Sequence, residues 1–400
     1  MTLRLPGRTA VVALTALALS AAPAVTAHAL SGPAPTPAAS AAALELPRPT
    51  GQYAVGADVL HLTDHDRTDP WVPDAGNREL VVSVHYPARP GGESGPAPYM
   101  STEEARLFLA QRGLEGIVPA TVVSSTSTHA RTGARAARGR FPLVLVSPGF
   151  GTPRTTLTSL AEDLASRGYV VASVDHAYES TGTAFPGGRM LTCAACDAVE
   201  AAPDEAAERD VLKTVSTGRA DDLTFVLDRL TGPRPAWDKS RMIDRRRVAA
   251  AGHSMGGSAA ASTMLADSRV DAGITMDGAF FEPIPLSGIG NRPFLMLGTD
   301  AGHRPGSADS SWDEGWQHLD GWKRWLTVKD SGHFTFTDIP ELGEQLGLPV
   351  DPAAALSGDR STRITRDYVA AFLDLHLRGL EQPLLDGPSP DNPEVVLQHP

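Results

Sequence analysis

Cysteine is almost missing, with 2 in 400 residues, too few to frame a fold with disulfides. Positive charge is also scarce. Against 47 Asp and Glu stand 35 Lys and Arg, giving a formal charge of −12. Such a surface repels phosphate backbones, so nucleic acid is not an expected partner. Beyond the extreme N-terminus there is no apolar run of bilayer length, which argues against an internal membrane span. No repeat of fixed period occurs, so a solenoid is excluded as well. The remainder is globular in character: 42% hydrophobic and 20% charged residues suffice for a large core and exclude intrinsic disorder.

The first residues read as an export signal. Arg4 and Arg8 precede an apolar run from Ala10 to Val25, and Ala27-His28-Ala29 supplies small residues for cleavage. Residues 1–29 are therefore expected to be a cleavable signal peptide of a secreted protein. Residues 30–50, with Pro33, Pro35, Pro37, Pro47 and Pro49 among Ala and Ser, read as a linker too poor in large apolar side chains to pack. Export also governs Cys193 and Cys196, spaced C-x-x-C. A local disulfide is the expected state in an oxidising compartment. No nearby residues complete a zinc site, and the motif does not open an apolar helix after a strand as redox motifs do. Neither a metal nor a cofactor is expected.

From about residue 53, short apolar runs alternate with helical periodicity, the pattern of an α/β fold with a mostly parallel sheet and helices on both faces. Strands are expected at 55–62, 80–86, 143–146, 169–174, 248–251, 272–276, 294–297 and 325–328. Helical spacing appears at Leu157, Leu160, Ala161 and Leu164, at Leu223, Val226, Leu227 and Leu230, and at Ile364, Tyr368, Phe372 and Leu375. Residues 51–385 are expected to form one catalytic domain, and 386–400 a Pro-rich tail on its surface. Two insertions break the rhythm. The first, at 88–140, ends in Arg131, Arg135, Arg138 and Arg140, read as a solvated loop; the second, at 176–215, carries the cysteines.

After the apolar run at 248–251 comes Gly252-His253-Ser254-Met255-Gly256, followed by a helix-like stretch to Ala266. This is G-x-S-x-G in strand–turn–helix context, which holds a serine hydroxyl above a sheet edge. The Met255 amide, at a helix start, is aimed where an oxyanion would form. The loop Ser147-Pro148-Gly149-Phe150-Gly151 offers the Phe150 amide as second donor. A serine needs a base oriented by a carboxylate, in the chain order Ser, acid, His. His333, in Ser331-Gly332-His333-Phe334 after the run at 325–328, is the candidate base. His303 and His318 lack a strand immediately before them and read as surface residues. Position alone leaves Asp277 and Asp300 open as the acid. Phe280, Phe281, Ile284 and Leu286 are candidate substrate-binding residues for an acyl chain, with ordinary core as the alternative. Trp312, Trp316, Trp322 and Trp325 read as core or as contact with a lipid surface.

These segments resemble the secreted α/β-hydrolases of the platelet-activating factor acetylhydrolase family. GHSMGGSAAASTML, VDAGITMDGAFF and SGHFTFTD match it in kind, order and spacing, and SPGFGTPR corresponds to its oxyanion loop, with Pro148 where the family usually has His. With ELVVSVHYPA, RGYVVASVDH and the closing helix, the similarity covers about 53–380. It implies an α/β-hydrolase fold and a lipase or esterase that hydrolyses carboxylic esters of short or oxidised acyl groups without calcium. It also selects Asp277 over Asp300. Secreted cutinases and polyester hydrolases are the rival resemblance, but their acid falls two residues past the first Asp after PFLMLGTD, where this chain has Gly302. A non-catalytic lipid-binding relative is the remaining alternative. The expected partner is a small-molecule or lipid ester, with peripheral contact to a lipid surface, and the expected state is a monomer.

Overall fold

The computed structural model describes residues 43–91, 95–349, 351 and 354–399. The expected signal peptide and most of the expected linker lie outside these residues. Among the described residues there are twelve strands: β1 (Ala54–Thr68), β2 (Asn77–Ala88), β3 (Arg131–Thr132), β4 (Phe141–Ser147), β5 (Val170–His176), β6 (Thr183–Phe185), β7 (Arg189–Leu191), β8 (Ile243–His253), β9 (Ala272–Met276), β10 (Phe294–Thr299), β11 (Lys323–Val328) and β12 (Val395–Leu397). Ten of them form one sheet in the order β12-β11-β10-β9-β8-β4-β5-β2-β1-β3, while β6 and β7 make a separate hairpin. The run from β11 to β5 is parallel throughout, and β2 and β12 join it antiparallel.

The central strands β4, β5, β9 and β10 are buried along their whole length. That is why they read as unbroken apolar runs: both faces carry core. One hydrophobic cluster includes Leu143, Val248, Leu223 and Trp325; the other includes Val144, Ala249, Ile274 and Phe372. The helices Glu205–Thr231 and Met255–Ala266 and the helix pair Thr158–Arg167 and Gly358–Arg378 supply the layers. Strand order reverses between β4 and β8, whose carboxyl ends therefore border the crevice where open α/β sheets place their ligands.

Both chain ends differ from expectation. Within the expected linker, Leu44 and Leu46 are buried with Tyr99, Val118 and Leu342. The Leu46 amide donates to the Ser127 carbonyl (2.9 Å) and the Thr50 hydroxyl to Asp163 (2.9 Å). The alternation Leu44-Glu45-Leu46 puts both leucines on one face, and two such side chains suffice to dock an otherwise Pro/Ala-rich segment. In the expected surface tail, Val395–Leu397 pairs antiparallel with β11, because the apolar triplet offers edge residues that the surrounding prolines cannot. The arginines at 131, 135, 138 and 140 are exposed, but Arg131 is not in a loop: it lies in β3, paired with Gly56 of β1.

The four clustered tryptophans are not laid out on the surface. Trp312 and Trp325 are fully buried, edge to face at 5.6 Å, and Trp316 and Trp322 are covered by His399 and His376. Trp312, Trp316 and Trp325 belong to one core cluster, with Trp325 Nε1 donating to the His303 carbonyl after β10, while Trp322 packs on Phe372 in the other. Among the described residues no helix is long and apolar enough to cross a membrane.

Leu46→Ala is expected to lower stability by about 2–5 kcal/mol in urea unfolding, the usual range for emptying a buried leucine site. A change below about 0.5 kcal/mol would restore the reading of this segment as a linker.

Candidate active site

The turn after β8 is set by backbone contacts. Ser254 adopts φ 54 and ψ −123, a conformation that costs a non-glycine residue about 1–3 kcal/mol and persists only where surroundings enforce it. Here the Ser254 amide donates to the Met276 carbonyl (2.8 Å), and the amides of Gly257 and Ser258 donate to the Ser254 carbonyl. Gly256 is required by packing: a Cβ there would lie 1.9 Å from the Ser147 carbonyl oxygen. The Gly-rich loop 148–151 thus presses directly on the serine turn. Phe150 lies in that loop, half-buried, and Met255 starts the helix behind Ser254.

Asp277 ends β9 in a left-handed conformation, φ 57, its amide donating to the Leu297 carbonyl of β10. This sharp turn points its carboxylate along the sheet edge. His333 follows β11 after Asp330, itself at φ 57, and opens a 3₁₀ turn over His333–Phe336. The three side chains meet: His333 Nε2 is 2.9 Å from Ser254 Oγ, and His333 Nδ1 is 2.6 Å from Asp277 Oδ2. Ser254 Oγ donates to Nε2, and Nδ1–H donates to the carboxylate. The imidazole is 45% exposed while Asp277 is buried, so water reaches the base but not the acid.

Burial alone would favour a protonated Asp277. Hydrogen bonds from His303 and His333 outweigh it and hold the carboxyl well below the usual carboxylate range. His253, beside Ser254, is buried, and burial together with the neighbouring His333 pushes its ring down to about 3. Neutral at any ordinary pH, it donates Nε2–H to the His333 carbonyl (2.6 Å) and fixes the backbone that carries the base.

Asp300 is not brought to this cluster; it accepts from Thr327 Oγ1 (3.0 Å). Gly302 donates its amide to Thr299 Oγ1. The expected substrate-binding residues do not form a wall. Phe280 and Ile284 are core, Phe280 packing on Phe294 and Trp312, while Leu286 is 87% exposed. Phe281 is half-buried, its amide held by Ser258 Oγ. The Phe-Phe pair follows the Asp277 turn back under the sheet edge, so its apolarity serves packing. Cys193 and Cys196 are joined by a disulfide, and Cys196 Sγ lies beside Gly151.

Two sets of residues were not legible as site residues. His303, expected at the surface, is buried, with Nδ1 2.7 Å from Asp277 Oδ1. It reaches inward because the short helix Asp300–His303 turns directly off β10. Beneath the Gly-rich loop, Arg219 donates to the Pro148 carbonyl (2.6 Å) and to Glu179 (2.7 Å), while His176 bridges Ser147 Oγ and Asp222. The signal for these was available: Arg219 and Asp222 interrupt the apolar stripe of the helix Glu205–Thr231 on its buried face.

The profile of platelet-activating factor acetylhydrolase, isoform II, matches residues 38–187. A probable 1-alkyl-2-acetylglycerophosphocholine esterase of Arthroderma benhamiae is 29% identical, the alignment covering 87% of this chain and 92% of the relative. Bovine platelet-activating factor acetylhydrolase is 26% identical over 58% of this chain and 55% of its own length. The chain is similar to the platelet-activating factor acetylhydrolase-like family. A solved structure of a ferulic acid esterase from Streptomyces cinnamoneus superposes with a TM-score of 0.79 at 44% identity, over 90% of this chain and all of that one. The protein is accordingly a carboxylic ester hydrolase with the α/β-hydrolase fold.

Gly256→Ala is expected to displace the Ser147 carbonyl or the serine turn. Esterase activity should fall by more than about a hundredfold, the cost of misplacing a reacting group by about 1 Å, with a lowered Tm. Full activity would show that the two loops do not depend on each other.

Proposed function

We propose that this ester hydrolase works by acyl transfer through a covalent intermediate on Ser254. His333 Nε2 takes the Oγ proton as Oγ bonds to the ester carbonyl carbon. Asp277 retains its hydrogen bond to Nδ1–H and stabilises the imidazolium. The amides of Phe150 and Met255 receive the oxyanion, whose collapse breaks the bond to the alcohol oxygen, and His333 returns the proton to that oxygen. Water then repeats the sequence on the acyl-enzyme, regenerating Ser254. The observation that carries this reading is the continuous Ser254–His333–Asp277 hydrogen-bond chain at the carboxyl edge of β8, β9 and β11.

Short acyl groups are the proposed substrates. Phe280 and Ile284 are engaged in the core and Leu286 points into solvent, which leaves little of a long-chain trough, and two relatives bear the names of acetyl-ester hydrolases. A second reading, esters of planar aromatic acids such as ferulate, is favoured by Phe334, whose ring stands 5.4 Å from His333 and 6.2 Å from His253 and supplies a flat surface beside the base. The N-terminal segment and the disulfide support export to an oxidising compartment.

Ser254→Ala should lower kcat by roughly 10⁴–10⁶-fold and abolish fluorophosphonate labelling with folding intact; more than a tenth of the activity remaining would reject the assignment. Asp277→Asn should cost about 10⁴-fold, whereas Asp300→Asn should cost little. Rates on p-nitrophenyl acetate, butyrate and dodecanoate beside methyl ferulate decide the acyl preference: a rise with chain length would overturn the short-acyl reading.

A further inference from the structure

Asp277 is shared by two imidazoles. Oδ2 takes Nδ1–H of His333, and Oδ1 takes Nδ1–H of His303 at 2.7 Å together with the Thr299 amide (2.7 Å) and hydroxyl (2.9 Å). The second ring nitrogen of His303, Nε2, faces Asp309 Oδ2 at 3.4 Å. That oxygen is buried and has no hydrogen-bond partner of its own. A neutral His303 that donates Nδ1–H to Asp277 would present an Nε2 lone pair to a carboxylate oxygen, which is repulsive. Reversing the tautomer would set the lone pair against Asp277 instead. Only the imidazolium, with both nitrogens protonated, avoids both repulsions: it hydrogen-bonds Asp277 and stands at ion-pair distance from Asp309. The ring is locked in that position: it stacks on Trp312 at 4.2 Å, and the His303 carbonyl accepts from Trp325 Nε1.

We propose that His303 is a positioning residue of the catalytic relay, a fixed cation between Asp277 and Asp309 that lowers the proton affinity of Asp277 and, through it, of His333. The inference rests on the triad reading above. With His303 charged, Asp277 binds His333 as a carboxylate that is already half-neutralised. The base therefore gives up its proton, and becomes competent, at a lower pH than it would beside a lone Asp. The sign follows from charge: a second cation on the same carboxylate disfavours protonation of the first imidazole. Burial pulls His303 down, but the Asp277 and Asp309 contacts outweigh it and raise the ring to about 9, so the charge persists over the range in which His333 works. The other charged or titratable groups around the pair are His253, neutral as described, Arg112, stacked over the Phe334 ring at 4.1 Å, Asp351 against Gly332, and Asp300 on Thr327 of β11. Neither Arg112 nor Asp300 is hydrogen-bonded or ion-paired to Asp277 or His303.

The ionisation is read without any turnover, by ¹⁵N NMR of histidine-labelled protein. The His303 ring should show two protonated nitrogens at pH 7.5 and lose one near pH 9, and Asp309→Asn, which identifies the resonance, should move that midpoint down. A neutral ring at pH 7.5, or a midpoint unmoved by Asp309→Asn, overturns the proposal whatever the fate of the triad. The catalytic consequence is read from His303→Gln, which keeps a donor to Asp277 but removes the charge. The acid limb of its kcat/KM profile should move to higher pH by about one unit. His303→Ala should show the same shift with a lower plateau. An unmoved limb in both variants overturns the proposal, as does a limb moved by Ala but restored by Gln, which would mark a neutral hydrogen bond. Should Ser254→Ala fail to abolish activity, the triad reading falls while the NMR result stands by itself.

Discussion

The carboxylate of Asp277 is the constraint on which this site depends. An anion is placed out of contact with water at the end of a fully buried strand, where an unpaired charge would be prohibitive. Four donors from three different segments surround it. Each donor is thereby placed as well: His333 over Ser254, Thr299 at the end of β10, His303 against Trp312. Removing the carboxylate would leave two imidazoles and a backbone amide without an acceptor, so its loss is a structural event as much as a chemical one.

A second buried ion network does the same for the other half of the site. Arg219, Glu179, Arg78 and Asp222, with Asp69 and His176, are all buried and mutually paired. Their contact with the catalytic face is the Pro148 carbonyl, which Arg219 holds from below. The loop that follows is held as well by the Gly151 amide, which donates to the Glu179 carbonyl (3.0 Å). Asp222 is pushed toward protonation by burial, but Arg78 and His176 hold it well below the ordinary range. The network therefore stabilises the fold above about pH 4 and loses that contribution as acid protonates its carboxylates.

How much of this the sequence disclosed depended on whether the determining pattern was local. The strands at 143–146, 169–174, 248–251, 272–276 and 294–297 were readable because buried parallel strands are apolar without interruption, and the triad candidates were readable because each follows a parallel strand. His303 was hidden because it follows β10 by way of a four-residue helix rather than directly. Its partner Asp277 lies 26 positions earlier, and no periodicity links them. Phe280, Ile284 and the tryptophans stayed open between core and substrate or lipid contact, and the core reading held: apolar residues near a nucleophile have the same composition whether they hold substrate or hold up the floor. At the ends of the chain, the proline content of residues 30–50 and 386–400 obscured the few leucines and valines that dock.

The closing strand has a bearing on how the molecule is made. β12 pairs through Val395–Leu397, which follow β11 in the chain with a long helix between them, so β11, the strand leading to His333, stays an unpaired edge until that later segment has been made. Such an edge is open to pairing with another chain. The interval between emergence of β11 and emergence of β12 is therefore the window in which nascent copies are most exposed to association with one another.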